Sequence, residues 1–242
     1  MGIVLFSATT HLLASTSTTS AVPIPLQGKQ KIVILGDSIT KAGSQHGGYI
    51  WLVQNYLSIL YPEEKFDLKG AGISGEKSTD LLSRFQTDVL NENPNLVIIQ
   101  VGVNDALQRT GNSNANPKAD IDRYSQTLSQ MVTLAQVDQV SVLLLSPILA
   151  SEDFTTQENQ RLKQYIAAMQ KVATENRCQF INLNVPFYRV ITTYQQYAGQ
   201  GQNILTRDGI HPNIAGHQVI AYTLLKGWGV PEQQIKTLRP NR

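Results

Sequence analysis

From Lys31 onward, short apolar runs alternate with longer stretches whose apolar residues recur at helical spacing, and few folds accept that order. "KIVILG", "FDLKGA", "LVIIQV", "VSVLLLS" and "FINLN" read as five strands. Between them "YIWLVQNYLSIL" places Ile50, Val53, Leu57 and Leu60 on one helical face, and "STDLLSRFQTDVL" reads as a helix capped by Ser78 or Thr79. A helix is expected from about Asp120 to Val137, "QENQRLKQYIAAMQKVATEN" reads as another, and "NIAGHQVIAYTLLKGW" closes the chain as a third. The stretch from Pro186 to Gln202 is ambiguous. Strands alternating with helices imply an open parallel sheet buried on both faces, an α/β fold of three layers with about five parallel strands. With 242 residues and 41% hydrophobic content, one sizeable core and one domain are expected, spanning residues 29–242.

Residues 1–28 read differently. "MGIVLFSATTHLLASTSTTSAVPIP" opens apolar, turns rich in Ser and Thr, and offers Thr19 and Ala21 to a signal peptidase, although no Lys or Arg stands near Met1. The expectation is a secreted or periplasmic protein. A disordered or mis-started leader, with a cytoplasmic protein behind it, is the alternative. No stretch of about twenty apolar residues occurs, so no membrane span is expected.

The 20 basic and 18 acidic residues are spread without blocks, which gives no footprint for nucleic acid. The single cysteine, Cys178, forms no internal disulfide framework and reads as a small apolar filler. His11, His46 and His217 do not join Asp208 and His211 in a recognisable ligand set, so neither metal nor cofactor is called for. His217, Trp51 and Trp228 lie in helical patterns and read as structural residues.

Right-handed crossovers put every loop that follows a strand on one edge of the sheet, the edge at which such folds bind ligands. Ser38 follows the first strand in "GDSIT", where alone it could serve as a helix cap, a phosphate cradle or a nucleophile. Gly75 follows the second in "GISGE", and Asn104 the third in "VGVND". Asp208 and His211 sit in "TRDGIHPN", with Gly209 to permit a tight turn and Pro212 to hold His211 outside the following helix. Asp37 is positioned to brace the loop of Ser38. Together these residues supply a hydroxyl, a base and a carboxylate to orient the base, which is what acyl transfer requires. Ser74 in "GISG" misses the G-x-S-x-G elbow, and Ser146 ends a strand with nothing beside it to activate it.

These motifs resemble the SGNH or GDSL hydrolase family from about Lys31 to Trp228, through "GDSIT", "GISGE", "GVND" and "DGIHPN". The resemblance implies a flavodoxin-like fold, a Ser38–His211–Asp208 triad, and an oxyanion hole of the Ser38 and Gly75 amides with the Asn104 side chain. Gly70 departs from the pattern, standing where many members carry Asn. The function implied is a serine esterase that acts on small-molecule esters through an acyl-enzyme, with short acyl or carbohydrate O-acetyl groups ahead of lysophospholipids and thioesters. A flavodoxin-like module that binds phosphate or flavin is the rival of another class, and it leaves Asn104 and "DGIHPN" without a task. The loops Gly43 to Gly48, Leu107 to Pro117, Ser151 to Thr156 and Tyr194 to Leu205 are expected to shape the pocket.

Overall fold

The computed structural model describes residues 21–107, 116–199 and 202–239; most of the expected leader and of the Leu107 to Pro117 loop lies outside the described residues. After a 3-10 turn at Ile24–Leu26 the chain enters β1 (Lys31–Gly36), followed by α1 (Ser38–Gly43) and α2 (Tyr49–Leu60). Next come β2 (Asp67–Gly72), α3 (Ser78–Ser83), α4 (Phe85–Asp88), β3 (Leu96–Gln100), α5 (Val103–Leu107) and α6 (Pro117–Val137). The chain then forms β4 (Ser141–Leu145), α7 (Gln157–Glu175), β5 (Gln179–Ile181), α8 (Asn184–Ala198), α9 (Ile214–Gly227) and α10 (Glu232–Thr237).

All four strand pairings are parallel, and the order across the sheet is β2-β1-β3-β4-β5. Alternation along each central strand divides the interior in two. Ile32, Ile34, Leu96, Ile98, Leu143 and Leu145 face one core with α2, α8 and α9, while Val33, Leu35, Val97, Ile99 and Leu144 face the other with α6 and α7. Because β1 and β3 are neighbours, the chain leaves their carboxyl ends in opposite directions and a crevice opens there. Ser38 and Asn104 stand on its two sides.

The local departures from expectation have local causes. The helix expected over "STDLLSRFQTDVL" divides at Arg84, whose backbone (φ −110°, ψ 8°) leaves the helical region between α3 and α4. The Arg84 guanidinium is engaged instead with Glu76, Asp88 and the carbonyls of Gly36 and Ala71, which ties β1 to β2 at their carboxyl ends. Lys77, not Ser78 or Thr79, precedes the first turn of α3, and its amide donates to Asp80. Helix α6 starts at Pro117, ahead of Asp120, because Asn116 caps it through the Lys118 amide and proline suits a first turn. "FINLN" shortens to β5 because Asn182 Oδ1 accepts from the amides of Asn184 and Val185 and opens α8, the helix that occupies much of the ambiguous Pro186 to Gln202 stretch.

Candidate active site

Asp37 caps α1 by accepting the Ile39 amide at 2.9 Å, which places Ser38 in the first helical turn, where backbone N–H groups have no partner within the helix. The Ser38 Oγ lies 2.9 Å from Nε2 of His211. On the far side of the ring, His211 Nδ1 lies 2.7 Å from Asp208 Oδ2, and Asp208 Oδ1 accepts the amides of His211 and Ile210. A hydroxyl from the first strand loop and an imidazole 173 residues later therefore join one hydrogen-bonded chain. With Nδ1–H given to the carboxylate, Nε2 is left as an acceptor for the serine proton.

The turn that carries Asp208 and His211 is held from both ends. Thr206 and Pro212 pair as an antiparallel bridge, the Arg207 amide donates to the His211 carbonyl, and Gly209 takes φ +91° to close the turn. Asn213 Oδ1 caps α9 through the Gly216 amide, so His211 stays outside the helix, as Pro212 leads one to expect. A third support was not visible in the sequence. Glu152, 3% exposed, accepts the amides of Ile204, Leu205 and Thr206 and the Thr206 hydroxyl, all within 2.9 Å. Buried Asn159 fixes the Glu152 loop by bonding to the backbone of Ala150, Ser151 and Asp153.

Loops after β2 and β3 are clasped to each other. Asn104 Nδ2 donates to the Glu76 carbonyl at 2.9 Å, beside Gly75, which takes φ +83°. Ser78 donates its hydroxyl and amide to Asp105, a residue absent from the sequence-based set. Asn104 keeps a second side-chain N–H beyond the bond to Glu76. Gly70 lies in β2 where any side chain would meet Ser44 at the end of α1, a local reason for glycine at that position.

The electrostatics follow from burial and partners. Burial raises Asp208, but the His211 amide, the His211 ring and the Ile210 amide outweigh it and bring its pKa to about 2. Burial dominates at Asp37, which is fully enclosed with Oδ2 unpartnered, and pushes it up to about 6 against the Ile39 hydrogen bond. The hollow around Ser38 holds about 570 Å³, is open to solvent, and is walled by Lys41, Gln45, Ser74 and Arg207 beside the triad. His217 is buried and stacks on Tyr49, with burial lowering its pKa to about 4. Trp228 is buried, Trp51 partly so. The Ser146 hydroxyl is spent on the Pro147 carbonyl and the Leu183 amide, and burial lifts the Cys178 thiol to about 11, away from reactivity. Among the described residues no group of three or more His, Cys, Asp or Glu side chains is placed to hold a metal ion.

Comparison with known proteins matches residues 34–219 to the family described as GDSL-like Lipase/Acylhydrolase. The chain belongs to that family. It is thereby a serine-type carboxylic ester hydrolase with the SGNH fold. An acetylxylan esterase of Geobacillus stearothermophilus is 26% identical to this family member over 212 residues, covering 83% of this chain and 94% of the relative. Esterase TesA of Pseudomonas aeruginosa is 30% identical over 192 residues, covering 77% and 81%. The crystal structure of an acetyl xylan esterase, AlAXEase, superposes with a TM-score of 0.72 at 32% identity over 81% of this chain and 98% of that one. Solved variants of the Geobacillus enzyme include catalytic replacements of a serine, of an aspartate and of the histidine three positions after it. Another replaces the tryptophan immediately before that aspartate. In this chain the residue immediately before Asp208 is Arg207. Among the described residues no helix is long and apolar enough to cross a membrane.

Proposed function

We propose that this esterase removes short acyl groups, acetyl foremost, from carbohydrate esters, with Ser38 as nucleophile, His211 as acid and base, and Asp208 as the group that orients His211. The observation that carries the reading is the unbroken chain from Ser38 Oγ through the His211 ring to Asp208. Ser38 Oγ attacks the acyl carbon while Nε2 of His211 takes its proton, and the carbonyl electron pair moves onto oxygen. The Ser38 and Gly75 amides and the second side-chain N–H of Asn104 are the donors for that oxyanion. Collapse of the adduct breaks the bond to the sugar oxygen, which receives the proton held by His211. Water, deprotonated by the same nitrogen, then adds to the acyl-enzyme and releases the acid and Ser38.

The short acyl preference rests on the walls of the hollow. Lys41, Gln45, Ser74 and Arg207 line the hollow around the nucleophile, which lies open to solvent. In so open a hollow a long acyl chain would leave methylenes in water, forgoing about 0.8 kcal/mol for each. The names of the acetylxylan esterase relatives point the same way. A polymeric substrate is met outside the cell, which fits an exported enzyme and the expectation placed on residues 1–28. Turnover of 4-nitrophenyl esters graded from acetate to decanoate, beside acetylated xylo-oligosaccharides, tests the reading. The expected result is kcat/KM falling with acyl length and acetate released from the sugar; a maximum at eight carbons or more, with inert sugar acetates, would assign the longer-chain lysophospholipid or thioester substrates instead.

A further inference from the structure

Two cations flank the nucleophile with no counter-ion among the described residues. Lys41 lies one turn after Ser38 on α1 and Arg207 lies immediately before Asp208 on the triad turn, so they wall the hollow from separate elements. Both side chains are exposed, and neither makes a salt bridge or side-chain hydrogen bond among the described residues. Asp37 is buried at the start of α1 and does not line the hollow, and the other acids nearby are already engaged. Asp208 is held by His211, Glu76 by Arg84, and Asp105 by Ser78. The hollow thus sets two free positive charges against one carboxylate that is bonded to the imidazole, while neutral Gln45 and Ser74 complete its polar wall. A second observation concerns Arg207 itself. The Geobacillus enzyme carries at this point of the turn a tryptophan, the type of side chain that offers a flat face to a neutral sugar ring. A guanidinium at that position offers five donors in a planar fork suited to a carboxylate.

From these observations we infer that the alcohol part of the natural ester carries a carboxylate, as in an O-acetylated uronic acid residue, and that Lys41 and Arg207 select it. The inference rests on the serine esterase reading of the same site. An anion near either side chain is attracted weakly in open solvent, and the attraction is screened over about 8–10 Å at physiological salt. Each cation therefore accounts for about two- to fivefold in kcat/KM, the range of exposed ion pairs.

The test compares two mono-O-acetyl methyl glycosides that differ at one carbon, a glucoside with CH2OH and a glucuronoside with carboxylate. The expected result is a glucuronoside to glucoside ratio of kcat/KM of about tenfold at low ionic strength, collapsing toward unity at about 0.5 M salt. Lys41→Gln and Arg207→Gln should each lower that ratio about two- to fivefold, and Arg207→Trp should shift preference toward the neutral sugar. A ratio at or below one, a ratio indifferent to salt, or variants that slow both esters in equal proportion would overturn the inference. Turnover of both sugars undiminished by Ser38→Ala would instead sink the serine esterase reading, a readout separate from the charge ratio.

Discussion

A serine hydroxyl in water is a poor nucleophile, and the activation proposed for Ser38 comes from an imidazole nitrogen at 2.9 Å whose other nitrogen is committed to a carboxylate. With a pKa of about 2, Asp208 stays ionised well below neutral pH, so the orienting charge is not lost on mild acidification. The role proposed for Asn104 is to donate to the oxyanion, beside its bond to the Glu76 carbonyl. Asn104→Ala should lower kcat about 10²–10³-fold with little change in KM for a short ester, measured by steady-state kinetics; an unchanged kcat would remove it from the oxyanion site. Asp37 carries a cost that acid relieves. Its folded pKa, about 6, lies above the usual 3.8, so the folded state binds its proton first and stability falls as pH rises from about 4 through 6. Asp37→Asn keeps the capping oxygen and should stabilise the protein at pH about 8 by up to ~3 kcal/mol, with the gain vanishing near pH 4. Denaturant midpoints at the two pH values check the sign.

At the scale of elements, the candidate catalytic groups sit in first helical turns and one tight turn at the sheet edge, and neighbouring loops fix them. Glu152 illustrates the dependence, since one carboxylate gathers three successive amides and a hydroxyl just ahead of the Asp208 turn. A glutamine whose oxygen takes the Oε1 position keeps the Leu205 and Thr206 donors but turns its N–H toward the Ile204 amide. Glu152→Gln should therefore cost about 1–3 kcal/mol, and by loosening the turn lower kcat about tenfold or more. Restored activity with an unshifted melting temperature would show that the clamp does not position the triad. This residue was not legible in the sequence because its partners are backbone amides 52 to 54 positions away, and amides carry no residue signature. Ser38, Gly75, Asn104, Asp208 and His211 were legible for the opposite reason. Side-chain chemistry just after a strand, or in a tight Gly-Pro turn, is written in residue types and short spacings. The break at Arg84 escaped notice because helical periodicity continues through it, while tertiary bonds to Gly36 and Ala71 decide the backbone.

The whole molecule explains why the two ends of the sequence meet. Five parallel strands bury apolar side chains on both faces, and this pattern fixed the expectation of three layers before any contact was known. Strand order across the sheet was not readable from periodicity; in the structure β1 and β3 lie side by side, so that Ser38 and Asn104 share one crevice. Helix α9 packs on the same layer as α2, which brings the preceding turn, with His211, back over α1. The role of Ser38 in this arrangement is tested most directly by labelling the protein with a fluorophosphonate and locating the adduct by mass spectrometry. The expected result is a single phosphonyl group on Ser38, absent from Ser38→Ala and formed at least about 10²-fold more slowly in His211→Ala. Adduct on another serine such as Ser74, or labelling of Ser38→Ala at the wild-type rate, would contradict it.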